Sequence, residues 1–486
     1  MRGFLASSIG VATAAVLALP LALPTTALAA EAVPPAAPTA QAAPAAPAGS
    51  TESVPLVPLG PAADRTPGVP GMSASPRLPE TQGLAARDAR NFSLVGVVWD
   101  DASARLEGTV QIRTRSAATA TWSDWQDVET HNGEHAADPD TAERGSGRVH
   151  GATAPLWVGA SDGIQVRVQA PSGTLTKLPK GMRIDLVDPG DTSGRRATDA
   201  KNGAAPEPAP EQAPEQAPAP GPAGEGDDKG ELPLLPGMTM EMTESSSANV
   251  PMAPLGANEI TALDKADSTA DAVLADSSLN AAARPFIGPR PRIVTRKGWG
   301  ADENLRERGF VYTNTVKAAF VHHTASGNGY ACKDAPAVLR SLYRYHVVSE
   351  GWRDIGYNFA VDKCGTVYEG RAGGVAKAVM GAHTMGFNTD SMGVAVIGTF
   401  TNTAPPKAAV DAVARLTAWK LGLFGADPRA KTTLRSGGGN LYPKGSNVRL
   451  NVISGHRDGF ATECPGRLLY GELPPTRTSS AKLQGR

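Results

Sequence analysis

The chain has 486 residues, among them 53 Gly and 41 Pro, with only 5% aromatic residues and a formal net charge of −1. A near-neutral balance excludes the polyelectrolyte class of partner, because nucleic-acid binders carry a basic excess. Length alone allows about three domains, but long Pro/Ala-rich runs leave less chain to build them.

The N-terminus is laid out for export. Met1-Arg2 is followed by an apolar stretch from Phe4 to Leu23 and a small-x-small site at Ala27-Leu28-Ala29. This predicts a signal peptide over residues 1–29 and a secreted, extracellular or wall-associated protein with no membrane insertion after cleavage. Residues 30–87 are Pro/Ala-rich without apolar periodicity and are expected to be disordered.

Over 88–191 the pattern changes to short alternating runs. Phe92–Trp99, Gly108–Arg115, Trp122–Val128, Leu156–Val158, Ile164–Val168 and Met182–Val187 read as six strands. Turns are expected at Ser161-Asp162-Gly163 and Pro179-Lys180-Gly181, which predicts a small β-sandwich-like domain. Its Trp residues read as core anchors in preference to a carbohydrate platform. His131, His135 and His150 lie in or beside a polar loop and read as solvated. Residues 192–289 form a second Pro-rich linker, with room for a short helix between Glu231 and Ala283.

Residues 290–486 carry the strongest fold signal. Ala318–Val321 is a short buried strand running into His322, and Pro336–Val348 has helical spacing with Pro in the first turn. Asn358–Asp362 and Thr366–Glu369 pair across a turn, Met392–Phe400 is a central strand, and Ala408–Leu421 is an amphipathic helix. This alternation predicts an α/β domain with a mixed central sheet flanked by helices.

The chemistry lies in two segments, Val321-His322-His323-Thr324 and Gly455-His456 through Thr462-Glu463-Cys464-Pro465. Two imidazoles and a thiolate make a three-ligand zinc site whose fourth position stays open for water; the same set also suits a blue-copper site. On a strand, His323 points opposite to His322, so His322 is taken as the ligand. Cys332 and Cys364 could pair, leaving Cys464 for metal. Tyr357 offers a phenol and Thr462 a hydroxyl donor near the site.

The same domain resembles the peptidoglycan recognition protein and type-2 N-acetylmuramoyl-L-alanine amidase family. The resemblance rests on Trp299-Gly300-Ala301, Val321–Thr324, Trp352-x-Asp354-Ile355-Gly356-Tyr357-Asn358-Phe359, Tyr368–Arg371, Gly381–Thr384, Gly455–Asp458 and Thr462–Gly466. It implies binding of bacterial peptidoglycan in a groove. It also implies zinc-dependent cleavage of the amide between the lactyl group of muramic acid and L-Ala of the stem peptide. The ligand positions fall on His322, His456 and Cys464, and the catalytic positions on Tyr357 and Thr462, where phage relatives carry Lys. Substrate-contact positions fall on His346, Arg371, His383 and Asn388, and His383 reads equally as a buried structural histidine. Non-catalytic recognition members usually lack the cysteine, so Cys464 favours an enzyme over a recognition protein without turnover. A monomer is expected.

Overall fold

The computed structural model describes residues 49–59, 81–171, 177–190, 237–275 and 286–486. The expected signal peptide and most of the Pro/Ala-rich runs lie outside them. No helix among the described residues is long and apolar enough to cross a membrane.

The first domain consists of β1 (Ser50–Pro55), β2 (Val57–Pro58), β3 (Thr81–Trp99), β4 (Thr109–Ser116), β5 (Gln126–Val128), β6 (Gly151–Ala152), β7 (Leu156–Gln169) and β8 (Arg183–Asp188). They pair antiparallel in the order β1-β8-β3-β7-β4-β5, with β2 and β6 on β3. Alternation sets the inner face. Val110, Ile112 and Thr114 are buried while Gln111, Arg113 and Arg115 point outward. Val110 and Ile112 sit opposite Val168 and Val166 and join Phe92, Val95, Val97 and Ile184 in one core.

Three details differ from the sequence reading. Ordered structure begins well before residue 88, because Ser50–Pro55 pairs along its whole length with β8. That pairing is between residues far apart in sequence, so local composition does not reveal it. The two strands expected at 156–158 and 164–168 are one. No turn forms at 161–163; instead Gly159 takes a left-handed conformation (φ 70°), and β7 runs on beside β3 with register shifts on both strands, the one around Gly159 lying on β7, the bulges that bend and twist a long strand. Finally, only Trp99 of these tryptophans is in this domain's core. Trp122 and Trp125 are half-buried on the outer face, with Arg113 5.3 Å from both ring centres and Arg167 4.2 Å from Trp125.

The second domain has a mixed sheet of β9 (Glu259–Ile260), β10 (Ile293–Val294), β11 (Ala318–His323), β12 (Phe359–Val361), β13 (Val367–Glu369), β14 (Ser391–Val396) and β17 (Ile453–Gly455), with a separate hairpin of β15 (Lys431–Arg435) and β16 (Asn447–Asn451). Its order is β17-β11-β14-β12-β13-β10-β9. The centre is parallel, β11 lying between β14 and β17, whereas β12–β13 and β9–β10 are antiparallel. Every residue of β11 and β14 is buried, as expected for strands covered on both faces. Ala319, Val321, Val394 and Val396 pack with Leu416 and Trp419 of the helix Lys407–Leu423. Ala395 and Ala360 pack with Leu339, Leu342 and Tyr343 of the helix Ala335–Arg344. Cys332 and Cys364 are joined by a disulfide.

This domain also begins earlier than residue 290. Within the span read as linker, Met240–Ser247 and Lys265–Ala275 are helices, and β9 extends the sheet through Ile260 opposite Ile293. Asn249 ties the first of these helices down by donating to Glu369 (2.8 Å). Arg296 is fully buried at the same place. It donates to Glu303 (2.7 Å), Asp354 (3.1 Å) and the Gly370 carbonyl (2.6 Å).

Candidate metal centre

The period of two along β11 decides which histidine faces the site. His322 shares its face with Ala318 and Phe320, which pack with Phe387, while His323 shares its face with Val321 over the Lys407–Leu423 helix. His323 Nδ1 accepts from the Phe400 amide at 3.4 Å, away from the cluster. β17, the parallel neighbour of β11, ends at Gly455, so the next residue, His456, emerges beside His322; their ring centres are 4.6 Å apart. The turn after His456 is held by Asp458, which accepts from the Gly455 amide (2.9 Å). The Arg457 amide donates to the Cys464 carbonyl (3.0 Å), so the loop returns the thiol to His322, with Sγ 3.7 Å from Nδ1.

A fourth donor completes the group. His135 of the first domain brings its Nε2 to 3.2 Å from His456 Nδ1. One ligand atom from each of His135, His322, His456 and Cys464 lies within 4.8 Å of all the others. In a tetrahedral zinc site, edges of about 3.3 Å between two nitrogens and about 3.6 Å between nitrogen and sulfur follow from the bond lengths. The two edges quoted fit, as does the chemistry of imidazole and thiol donors. Burial holds all three imidazoles well below their ordinary pKa, hence neutral and able to ligate. Burial also pushes the Cys464 thiol up, so metal binding there must displace a proton.

Around the cluster, Tyr357 packs edge-on to His135 and 5.4 Å from His322 between ring centres. Burial, reinforced by Cys464, pushes its phenol well above the usual range, so it is a permanent donor. Thr462 accepts from the Cys464 amide (3.1 Å) and donates to Glu134 (2.7 Å). His346 lies in a π-helical turn, Tyr345–Ser349, that ends the Ala335–Arg344 helix. Such turns re-aim side chains and recur at functional sites. Its Nδ1 accepts from the Gly356 amide at 3.2 Å, its ring lies 4.5 Å from that of Trp352, and burial lowers its pKa to about 3.

His383 is placed differently from the substrate contact implied by the resemblance. It is fully buried, its Nδ1 lies 3.3 Å from His322 Nε2 and 3.0 Å from Thr384 Oγ1, and its ring rests on Gly393 of β14. A Cβ at Gly393 would come within 2.4 Å of that ring. Its place is behind His322, where it fixes the orientation of that imidazole. Arg371 and Asn388 are already engaged. Both Arg371 terminal nitrogens donate to Glu143 at 2.9 Å. Asn388 donates to Asp138 (2.7 Å) and accepts from the His383 amide (2.7 Å).

The structure thus brings His322, His456, Cys464, Tyr357 and Thr462 together and adds His135, Glu134, Asp138 and Glu143, which were not read from the sequence. His135 corrects the expectation of a solvated residue: the loop after β5 leaves its own domain and is buried against the other. His131 is exposed and His150 half-buried, outside the cluster. The one local hint was crowding, since three of the chain's eight histidines fall between 131 and 150.

Comparison with known proteins gives the same division of the chain. Residues 312–467 match the family described as N-acetylmuramoyl-L-alanine amidase, and residues 35–219 match one described as Rv3811 N-terminal galactose-binding domain-like. Peptidoglycan-recognition protein SC2 of Drosophila melanogaster is 33% identical over 183 residues, 37% of this chain and 84% of that protein. The N-acetylmuramoyl-L-alanine amidase of Homo sapiens is 34% identical over 191 residues, 39% of this chain but only 28% of that protein. Among solved structures, Drosophila PGRP-LB is 28% identical over 37% of this chain and 92% of that one, with a TM-score of 0.30. On the match to the recognition protein, through its second domain, the chain belongs to the peptidoglycan-recognition protein and N-acetylmuramoyl-L-alanine amidase family.

Proposed function

We propose that this chain is a secreted, zinc-dependent N-acetylmuramoyl-L-alanine amidase that cuts peptidoglycan between the lactyl group of muramic acid and L-Ala of the stem peptide. The observation that carries the reading is the convergence of His322, His456 and Cys464 at the ends of two parallel strands and their return loop, with the phenol of Tyr357 beside them. A zinc ion held there would supply a Lewis acid and a water activated near neutral pH.

The chain's own groups then divide the remaining work. Tyr357, kept protonated by burial, donates to the carbonyl oxygen as it gains negative charge in the tetrahedral state. Thr462 supplies a second hydroxyl on the same side. Arg371 offers a bidentate fork for a carboxylate of the stem peptide, and Asn388 and His346 line the approach. His383 holds the ring of His322 in place.

One observation favours a second reading. With His135 the cluster has four protein donors, the arrangement of structural metal sites, which suits a wall-binding recognition protein without turnover. The two readings separate on mass spectrometry of purified peptidoglycan incubated with the zinc-loaded full chain and its His135→Ala variant, with and without chelator. Release of stem peptides bearing a free L-Ala amino terminus, lost with chelator and restored by zinc, is the expected result. Retention on the wall with no peptide released by either protein leaves the recognition reading.

A further inference from the structure

Four of the groups to which the proposed function gives a part, Thr462, Arg371, Asn388 and His456, are engaged by one stretch of the first domain. Between Asn132 and Glu143 the chain forms no strand or helix, yet Asn132, Glu134, His135, Asp138 and Glu143 are buried. Glu134 takes the Thr462 hydroxyl with its side chain and the Met385 amide with its carbonyl (3.0 Å). His135 takes the fourth corner of the donor cluster. Asp138 takes Asn388 and the Gly386 amide (2.7 Å each). Glu143 takes both arms of Arg371 and the Arg353 amide (3.2 Å). An acidic peptide strung along the groove, with a carboxylate in the arginine fork, is what a bound stem peptide would present.

The rest of the first domain is docked to hold that stretch in place. Tyr345 donates to the Thr153 carbonyl (3.0 Å), Arg340 to the Pro189 carbonyl (3.0 Å), and the Trp157 amide to the Ser326 carbonyl (3.0 Å). Gly96 on β3 lies directly against the Tyr345 ring, where any Cβ would overlap it. Beyond the stretch lies a cleft of about 270 Å³ bounded by Trp99, His131, Trp352 and Phe460. The stretch thus borders open space between itself and the core residues Trp99 and Leu106.

We infer that residues 132–143 are an intramolecular plug, in which His135 is a fourth metal ligand contributed by the first domain and the acidic side chains occupy the substrate groove. A site closed by four protein donors has no position for water. The full chain as folded is then latent, and the plug must leave before peptidoglycan can enter. This inference rests on the amidase reading for its consequence, but its geometry is testable without turnover.

The experiment uses the full chain loaded with cobalt(II) in place of zinc and follows its visible spectrum on addition of azide. The wild-type spectrum is expected to stay unchanged, and that of His135→Ala to shift as azide enters the freed position. Stem-peptide release from peptidoglycan by the zinc form of that variant should rise by about tenfold or more, the scale of population shift expected when closure loses a ligand bond. Glu143→Gln, which leaves all four donors in place, should retain metal and show partial azide access, so a poorly folding His135→Ala protein does not end the test. A wild-type spectrum that responds to azide as fully as that of either variant overturns the plug. If the variants open to azide while none releases peptide, the plug stands and the amidase reading falls. If wild type and variants release peptide equally and take azide equally, the plug falls and the amidase reading stands.

Discussion

Two regions meet at the four-donor cluster and hold their donors by different means. On the α/β side, His322 and His456 sit at the ends of adjacent parallel strands, so the spacing of the strands fixes that of the imidazoles. On the other side, His135 sits in an irregular stretch with no ladder of its own, held by side-chain bonds from Glu134, Asp138 and Glu143 to Thr462, Asn388 and Arg371. A donor on a strand end is preorganised by the core beneath it; a donor on a stretch held at its target is only as fixed as those bonds.

The largest effect that would sharpen this contrast is on metal binding. Cys464→Ala removes the one thiolate and should weaken zinc by more than about 100-fold, since even groups that merely orient ligands contribute 10–100-fold. Competitive chelator titration reads this, and unchanged affinity would remove Cys464 from the site. Next in size is the support of the α/β side. Arg296→Leu leaves Asp354 buried with backbone amides but without its guanidinium, and leaves Glu303 with Arg306 alone (2.7 Å), and should lower stability by about 3–5 kcal/mol in urea unfolding. A shift below 1 kcal/mol would show that water reaches this network.

Tyr357→Phe, placed in the His135→Ala chain so that the groove is open, should retain zinc and lose about 10²–10³-fold in peptide release. Full turnover would take the oxyanion role away from the phenol. A smaller change is expected at the disulfide, which closes a loop between positions 32 apart in sequence. Replacing Cys332 and Cys364 by Ser should lower the unfolding free energy by about 3–4 kcal/mol at most, leaving the zinc affinity of the cluster, of which neither cysteine is a member, untouched. If zinc binding falls as well, the loop also braces the strand ends.

Legibility followed the range of the interactions. β11, β14 and the Lys407–Leu423 helix were readable because continuous apolar runs and a 3.6-residue period are local signals of burial. His322 was separable from His323 by the same logic of alternating faces. The strand at Ser50–Pro55 and the edge strand at Glu259–Ile260 were not readable, since each owes its order to a partner remote in sequence, β8 in one case and β10 in the other. Trp122 and Trp125 misled for a related reason. Aromatic residues usually signal core, but here guanidinium stacking satisfies them on the outer face.

By itself, then, the sequence determined the α/β sheet, the donor set of His322, His456 and Cys464 and the neighbouring Tyr357, because motif spacing and strand periodicity act over a few residues. Only the tertiary structure decided that His135 joins them and that Glu134, Asp138 and Glu143 engage Thr462, Asn388 and Arg371. Those residues lie on a loop whose local bonds are a few turns, such as the His135 amide to the Asn132 carbonyl; its carboxylates are satisfied by amides, a hydroxyl and a guanidinium more than two hundred residues away in the chain, and such a pairing exists only once both domains have folded and docked.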